Sequence, residues 1–341
     1  MVVPLALLLF APIVLAGCST NPITAPPPTI PPAQPAVSPP PTQRPAGTVR
    51  PLRDQASATI FDTDTSQLVV LSPGAGPQGP AVVTLQGAAA APSRAIALPG
   101  PATALTGDGL GNAYLATRGG YFAVALGPGR VERVDVDGAG DVEFTAIARR
   151  ADTKMVLGSA DGAVYTVTTP IVGTADVVAR TKIFARVDVI VTQGDTSVVL
   201  DRGQTSVTTI GPDGNPRHAL RAGQGAATLA VDPRGVVLAA DTRGGQLLVY
   251  GVDPLILRQA YPVPEAPYGL AGSRELAWVS QTAANTVIGY DLATGIPVEK
   301  VRYPTVRQPN AIAFDDASGT LYVVSGAGDG VQIIPHAAGS R

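Results

Sequence analysis

The stretch APYGLAGSRELAWVSQTAANTVIGYDLATGIPVEKV, residues 266–301, decides the fold of this chain. It consists of four short apolar segments separated by turn-rich Gly-Ser, Ala-Ala-Asn and Thr-Gly stretches. We predict β-strands at residues 268–271, 276–280, 286–291 and 298–303. Four strands in a unit of roughly 40 residues are typical of one blade of a β-propeller.

Six other stretches repeat this pattern, which makes seven units, and their first strands are spaced on average about 42 residues apart. The aligned first-strand positions are Ser57, Thr103, Thr145, Asp188, Ala227, Tyr268 and Asn310. The sequence therefore predicts an all-β fold over residues 48–341, a seven-bladed β-propeller of four-stranded blades. A pair of β-sandwiches and a six-bladed ring with one degenerate unit are the alternatives.

The last unit lacks one strand, since it ends near His336 after three. We expect residues 48–54, which precede the first unit, to supply the missing outer strand and close the ring. An open array would leave strand edges unpaired. Pro51 is compatible only with an edge strand, because proline has no backbone N–H to donate.

The N-terminus has the pattern of an export signal. Residues 2–16 form an uncharged apolar run that is too short to span a bilayer comfortably. The Leu-Ala-Gly-Cys sequence that ends at Cys18 resembles the bacterial lipobox, and Cys18 is the single cysteine of the chain. We expect residues 1–17 to be removed and Cys18 to carry diacylglycerol and palmitate. An ordinary secretory signal with an incidental cysteine is the alternative.

A proline-rich segment follows the lipobox, with 11 prolines among residues 22–45. Such a composition buries no core and favours the extended polyproline II conformation. We expect residues 18–47 to be a disordered linker that holds the propeller up to roughly 70 Å from the membrane.

Composition argues against several classes of partner and cofactor. The net charge is -2, charged residues make up 15% of the chain, and Lys and Arg form no long run. We therefore expect no nucleic-acid partner. There are two histidines, and the phosphate-binding and nucleophile-elbow motifs are absent. We expect no catalytic residues, no metal, no cofactor and a monomer.

The mouth of the central channel, where the innermost strands begin, is the candidate ligand site. Polar residues occupy six of the seven aligned positions: Ser57, Thr103, Thr145, Asp188, Tyr268 and Asn310. Such a ring could hold a sugar, a peptide terminus or a hydrated cation. Alternatively, these residues begin strands, satisfy backbone groups and line a water-filled channel.

Two units carry a family resemblance. The sixth resembles the YVTN-type propeller repeat at residues 278–280, 285–287, 290–291 and 294–295, and the fifth resembles the related NHL repeat at residues 230–241. With the lipobox and the proline-rich segment, nearly the whole chain is similar to mycobacterial-type lipoproteins of the LppL kind. The resemblance implies a Gram-positive or actinobacterial cell envelope and brings no assigned activity.

These observations predict an exported propeller, lipid-anchored to the outer face of the cytoplasmic membrane, that acts as a protein- or glycan-binding or scaffolding module. A propeller-type hydrolase or lactonase with a divalent metal at the channel mouth is the alternative. Only Asp188 and Asn310 lie at the expected depth, which is few ligands for a hard cation. A mainly structural envelope protein is the third hypothesis.

Overall fold

The structure is a computed structural model that describes residues 28–52, 54–74, 76, 79–87, 92–170 and 172–339. These residues form 29 β-strands in seven sheets. Among them no helix has the length and apolar character needed to cross a membrane. Cys18 and the expected signal peptide lie outside the described residues.

Each sheet is one blade, and blades are numbered here in chain order from the sheet that begins at residue 58. The strands that precede blade 4 are β1 (Thr48–Arg50), β2 (Ala58–Asp62), β3 (Gln67–Ser72), β4 (Val82–Gly87), β5 (Arg94–Ala97), β6 (Ala104–Gly107), β7 (Asn112–Thr117), β8 (Gly120–Ala125), β9 (Arg130–Val136), β10 (Phe144–Arg149), β11 (Met155–Ser159), β12 (Ala163–Val167), β13 (Gly173–Ala175) and β14 (Val177–Lys182).

Blades 4 to 7 follow the same pattern. Their strands are β15 (Val189–Gln193), β16 (Thr196–Asp201), β17 (Ser206–Ile210), β18 (Pro216–Arg221), β19 (Ala226–Asp232), β20 (Val236–Asp241), β21 (Gln246–Val252), β22 (Leu255–Pro262), β23 (Pro267–Gly272), β24 (Ala277–Gln281), β25 (Thr286–Asp291), β26 (Val298–Pro304), β27 (Pro309–Asp315), β28 (Thr320–Ser325) and β29 (Val331–Ile334).

The structure confirms the predicted seven-bladed propeller of four-stranded blades. The strands predicted for the sixth unit correspond to β23, β24, β25 and β26, and each observed boundary lies within two residues of the predicted one. The alternation of apolar residues along a strand and the turn residues at its ends are both local signals. They therefore locate the strand ends closely once the repeat is known.

The ring closes between the two ends of the chain. Strand β1 pairs antiparallel with β29, and Thr48 lies opposite Ile333 while Arg50 lies opposite Val331. Blade 7 therefore takes β27, β28 and β29 from the C-terminal end and its outer strand from the N-terminal end. The expected closing strand is present, and it ends just before Pro51, where a backbone donor is missing.

The core lies between neighbouring blades. Second strands such as β20 are buried along their whole length, because each is covered by a blade on both faces. Outer strands such as β14 alternate between exposed and half-buried residues, as expected for a strand with one solvent-exposed face. Blade-to-blade packing is therefore carried by the inner three strands.

Blade 2 carries a fifth strand. Strand β13 comes from the connection between β12 and β14 of blade 3, and it pairs in parallel with β9 of blade 2. This exchange links the two blades at their outer edge and leaves a cleft inside the connection.

Candidate functional site

The seven innermost strands enclose a central channel of about 550 Å³. Its wall is mostly apolar, with side chains such as Ile60, Leu105 and Ile312 facing it. Among the described residues that line it, Asp188 and Arg149 are the charged ones. Because the innermost strands all run in the same direction, Asp188, which precedes β15, and Arg149, which ends β10, lie at opposite ends of the channel.

Five of the six predicted mouth residues line the channel. They are Ser57, Thr103, Thr145, Asp188 and Asn310. Tyr268 is not among the lining residues, and its neighbour Gly269 lines the channel instead. Burial raises the pKa of the Tyr268 hydroxyl, and the positive charge of Arg202 opposes this shift.

Two of the mouth threonines join neighbouring blades. The Thr103 hydroxyl donates to the carbonyl of Phe144 in the next blade at 2.7 Å, and the Thr145 hydroxyl donates to the carbonyl of Val187 at 2.5 Å. These bonds satisfy buried backbone carbonyls where each innermost strand begins. A structural role accounts for both side chains without a ligand.

Two further hydroxyls, outside the predicted mouth residues, have the same function. Thr228 donates to the carbonyl of Tyr268, and Ser280 donates to the carbonyl of Pro309 at 2.6 Å. Ser280 lies on a second strand, so an alignment of first strands could not find it.

Asp188 is the acid of the mouth, and its side chain is 11% exposed. Its Oδ2 accepts a hydrogen bond from the Arg202 backbone N–H at 3.0 Å, and its Oδ1 lies 3.4 Å from Nε of Arg186. Burial raises the pKa of Asp188, and the Arg202 N–H and the charges of Arg202 and Arg186 offset this only in part.

We expect Asp188→Asn to become more stable relative to the wild type as the pH rises from about 3.8 to neutrality. The folded protein holds the Asp188 proton more tightly than the unfolded chain, so wild-type stability falls as the pH passes from the unfolded to the folded pKa. The asparagine of the variant does not titrate, and its amide oxygen can still accept from Arg202. Urea unfolding of both proteins at a series of pH values measures the difference. The prediction would be contradicted if the variant lost stability relative to the wild type as the pH rises.

No group of three or more His, Cys, Asp or Glu side chains that could hold a metal ion occurs in the described part of the chain. At the mouth, the Asp188 carboxylate already faces Arg186 and Arg202. These positive charges oppose a divalent cation at this position.

The proline-rich segment lies against the propeller from residue 28 onward. We call residues 28–46 the strap. It starts on blade 4, where the Ile30 N–H donates to the Gly203 carbonyl at 2.8 Å, and it ends on blades 6 and 7, where the Ala46 N–H donates to the Pro304 carbonyl at 3.0 Å. Ala33 and Ser38 within it are buried. The strap follows the face that carries the channel mouth, which we call the strap face.

Side-chain donors from four blades bind the carbonyls of the strap. A polyproline II backbone makes no internal hydrogen bonds, so its carbonyls are available to partners. The pairs are Arg243 with Pro31 at 2.6 Å, Arg202 with Ala33, Gln308 with Ala36 at 2.8 Å, Asn285 with Pro39 at 2.8 Å and Gln332 with Ala46 at 2.8 Å.

Ser38 and Gln308 form the most extensively bonded point of the strap. The Ser38 hydroxyl donates to the Thr282 carbonyl at 2.6 Å and accepts from the Gln308 backbone N–H at 2.9 Å. The Gln308 side chain accepts from the Ser38 N–H at 3.0 Å and donates to Asn310 Oδ1 at 3.0 Å. The strap is thereby connected to a residue of the channel mouth.

Buried aspartates fix the loops that present the strap-binding arginines. Asp241 accepts three backbone N–H groups, from Gln224, Gly225 and Gly244, at 2.8–2.9 Å. Asp201, beside Arg202, also accepts backbone hydrogen bonds, from the N–H of Ala185 at 2.7 Å and from the N–H of Gln204 at 2.9 Å. A carboxylate that satisfies several backbone donors holds a loop in one conformation.

The described part of the segment thus differs from the free spacer expected from its composition. The prolines do not build a core of their own, but they leave carbonyls exposed, and the propeller supplies donors at matching positions. These donors are spread over more than 100 residues of sequence. No local signal in the sequence indicates that they meet.

Comparison with known proteins shows the fold. No protein-family model matches the sequence, and no curated protein is similar to it. Among solved structures, a chain of a mitotic checkpoint complex superposes with a TM-score of 0.72 at 9% identity, covering 89% of this chain and 98% of that one. The U3-55K structure gives 0.69 at 12% identity, with 84% and 97% covered, and streptogramin B lyase gives 0.67 at 10% identity, with 84% and 96% covered. Such low identities show the propeller fold alone.

Proposed function

We propose that this chain is an exported binding module, anchored to the outer face of the cytoplasmic membrane through a lipidated Cys18. In this proposal the strap face is turned to the membrane, and the opposite face takes a protein or glycan partner of the cell envelope. The envelope location follows the lipobox resemblance. The fold supports the binding role, since one solved propeller that it resembles belongs to a mitotic checkpoint complex.

The observation that carries the orientation is the fastening of the strap. Pro28, the first described residue, lies ten residues after Cys18 and next to the strap contacts on blade 4. Ten residues of fully extended chain span at most about 36 Å. A lipid on Cys18 would therefore keep the strap face close to the bilayer, at about half the distance expected for a free spacer.

The opposite face is then the one displayed away from the membrane. Its loops carry exposed apolar side chains, including Leu110 between β6 and β7, which is 68% exposed, and Ile296 between β25 and β26, which is 67% exposed. Exposed apolar side chains on a rigid face can contribute to partner binding.

Energy transfer to labelled lipids tests the orientation. A fluorophore is placed on Gln224→Cys on the strap face or on Leu110→Cys on the opposite face, with the protein bound to vesicles that carry acceptor lipids. A lipidated Cys18 has no free thiol, so the introduced cysteine is the single labelling site. We expect more efficient transfer from position 224. The difference should shrink when Arg202→Ala and Arg243→Ala are combined, because they remove the side-chain contacts with Ala33 and Pro31 at the start of the strap. It should persist in Gln259→Ala, whose amide donates to the Leu292 carbonyl instead.

Equal transfer from both positions, or more from position 110, would overturn the orientation. Cys18→Ser tests the anchor separately, because this variant should leave the membrane fraction. If it stays membrane-bound, lipidation of Cys18 is not what attaches the protein.

A further inference from the structure

A cleft of about 530 Å³ lies between blades 2 and 3, away from the channel mouth. The connection between β12 and β14 forms its outer wall, because this connection leaves blade 3 to place β13 on the edge of blade 2. Its size falls within the usual range for small-molecule sites. Lining side chains include Asn112, Tyr114, Arg149, Thr153, Pro170 and Val172.

Arg149 lies between this cleft and the central channel, since its side chain lines both. Within the described residues, no carbonyl, hydroxyl or carboxylate accepts a hydrogen bond from its guanidinium, and its Nε is buried without a partner. A guanidinium carries five N–H donors, and here all of them lack a protein acceptor among the described residues while the side chain lines open space on two sides. Such a group requires an explanation.

The next residue shows what a structural arginine looks like in this fold. Arg150 has a side chain that is 1% exposed, and its terminal nitrogens donate to Asp152 at 2.7 Å and to the Pro212 carbonyl at 3.0 Å, although its Nε, like that of Arg149, has no partner among the described residues. Adjacent residues of a strand point to opposite faces, so Arg150 enters the packed interior while Arg149 faces the open space. The two neighbours thus have different roles.

Asp108, whose carboxylate is affected by the charge of Arg149, already has other hydrogen-bond partners. Asp108 accepts from the backbone N–H groups of Leu110 and Asn112, from the Asn112 amide and from the Tyr114 hydroxyl. Burial raises the pKa of Asp108, but these hydrogen bonds and the charge of Arg149 outweigh it and lower the pKa. Asp108 therefore feels the Arg149 charge without forming an ion pair with it.

The rest of the cleft suits an anion that also has an apolar part. At the rim, Arg130 and Glu132 face each other at 3.6 Å and offset each other's charge. Ala123, Pro170 and Val172 contribute apolar surface to the cleft, and Ala123 lies directly beside Tyr114 on the neighbouring strand. The positive charge of Arg149 and this apolar surface are complementary to an amphiphilic anion.

We propose that this cleft binds a small organic anion, a carboxylate or a phosphate monoester with an apolar body, whose charged group accepts hydrogen bonds from Arg149. The proposal does not depend on the lipid anchor or on the membrane orientation.

Titration calorimetry on the full-length protein in detergent tests it with three probes of similar size: benzoate, phenyl phosphate and neutral benzyl alcohol. We expect at least one anion to bind and benzyl alcohol to bind at least tenfold more weakly. Arg149→Gln should weaken anion binding by about tenfold or more, because a charge-assisted hydrogen bond is lost. Comparison of benzoate with phenyl phosphate distinguishes a carboxylate site from a phosphate site.

Two further variants separate binding from folding. Arg130→Gln changes an equivalent charge at the rim and should alter anion affinity by less than about threefold, because exposed charges contribute little. Val172→Glu alters a side chain that is 63% exposed, so it should fold normally and weaken anion binding by repulsion. Absence of binding for both anions, equal binding of benzyl alcohol, or anion binding unaffected by Arg149→Gln and Val172→Glu would overturn the proposal.

Discussion

A propeller that begins at residue 51 is expected to melt about 10 °C below one that begins at residue 47, since strand β1 is present only in the longer chain. Loss of β1 removes three residue pairs with β29 and uncovers the face of Val331 and Ile333. The lost hydrogen bonds between β1 and β29 and the newly exposed apolar side chains together lower the free energy of unfolding by about 5 kcal/mol. Thermal unfolding followed by circular dichroism compares the two chains.

Both chains lack the strap, so the comparison isolates the closing strand. The shorter chain should also self-associate, because the edge of β29 is left unpaired. Identical melting curves and a monomeric shorter chain would show that blade 7 is stable with three strands. A third chain beginning at residue 28 then measures the contribution of the strap by itself.

Trp278→Ala should lower the free energy of unfolding by about 3–5 kcal/mol. The Trp278 side chain is fully buried between blades 6 and 7, and its ring stacks on Phe314 of blade 7 with centroids 5.4 Å apart. Its indole N–H donates to the Ser273 hydroxyl at 3.2 Å. Removing the ring leaves a cavity that rigid neighbouring sheets cannot close. Urea unfolding followed by circular dichroism is the measurement. Tryptophan fluorescence cannot be used, because the variant removes the single tryptophan of the chain.

Trp278→Phe is the matched control. It keeps an aromatic ring against Phe314, and Ser273 stays bonded to the Leu276 backbone N–H at 3.1 Å, so the loss should be clearly smaller than in Trp278→Ala. If the alanine variant lost less than about 1 kcal/mol of its free energy of unfolding, the prediction would be wrong. The interface between blades 6 and 7 would then repack around the gap, unlike most sites from which a buried aromatic side chain is removed.

The candidate site was predictable from the sequence only in part. Alignment of the first strands brought Ser57, Thr103, Thr145, Asp188 and Asn310 to one end of the channel, where the structure has them. It placed Tyr268 there as well, whereas the neighbouring Gly269 lines the channel in this blade, and the alignment of apolar segments does not distinguish positions one residue apart. Arg149 carries no such signal, since an Arg-Arg pair at a strand end does not reveal which side chain finds an acceptor.

The sequence by itself determined the number of blades, most strand positions and the closure of the ring. Each of these rests on local patterns that recur along the chain at a regular interval, together with the count of strands in the last unit. The tertiary structure alone decided that residues 28–46 bind the propeller, because their carbonyls meet donors from four separate blades. It also decided that Arg150 is paired while Arg149 is free of protein acceptors among the described residues, since acceptors such as the Pro212 carbonyl come from a different blade.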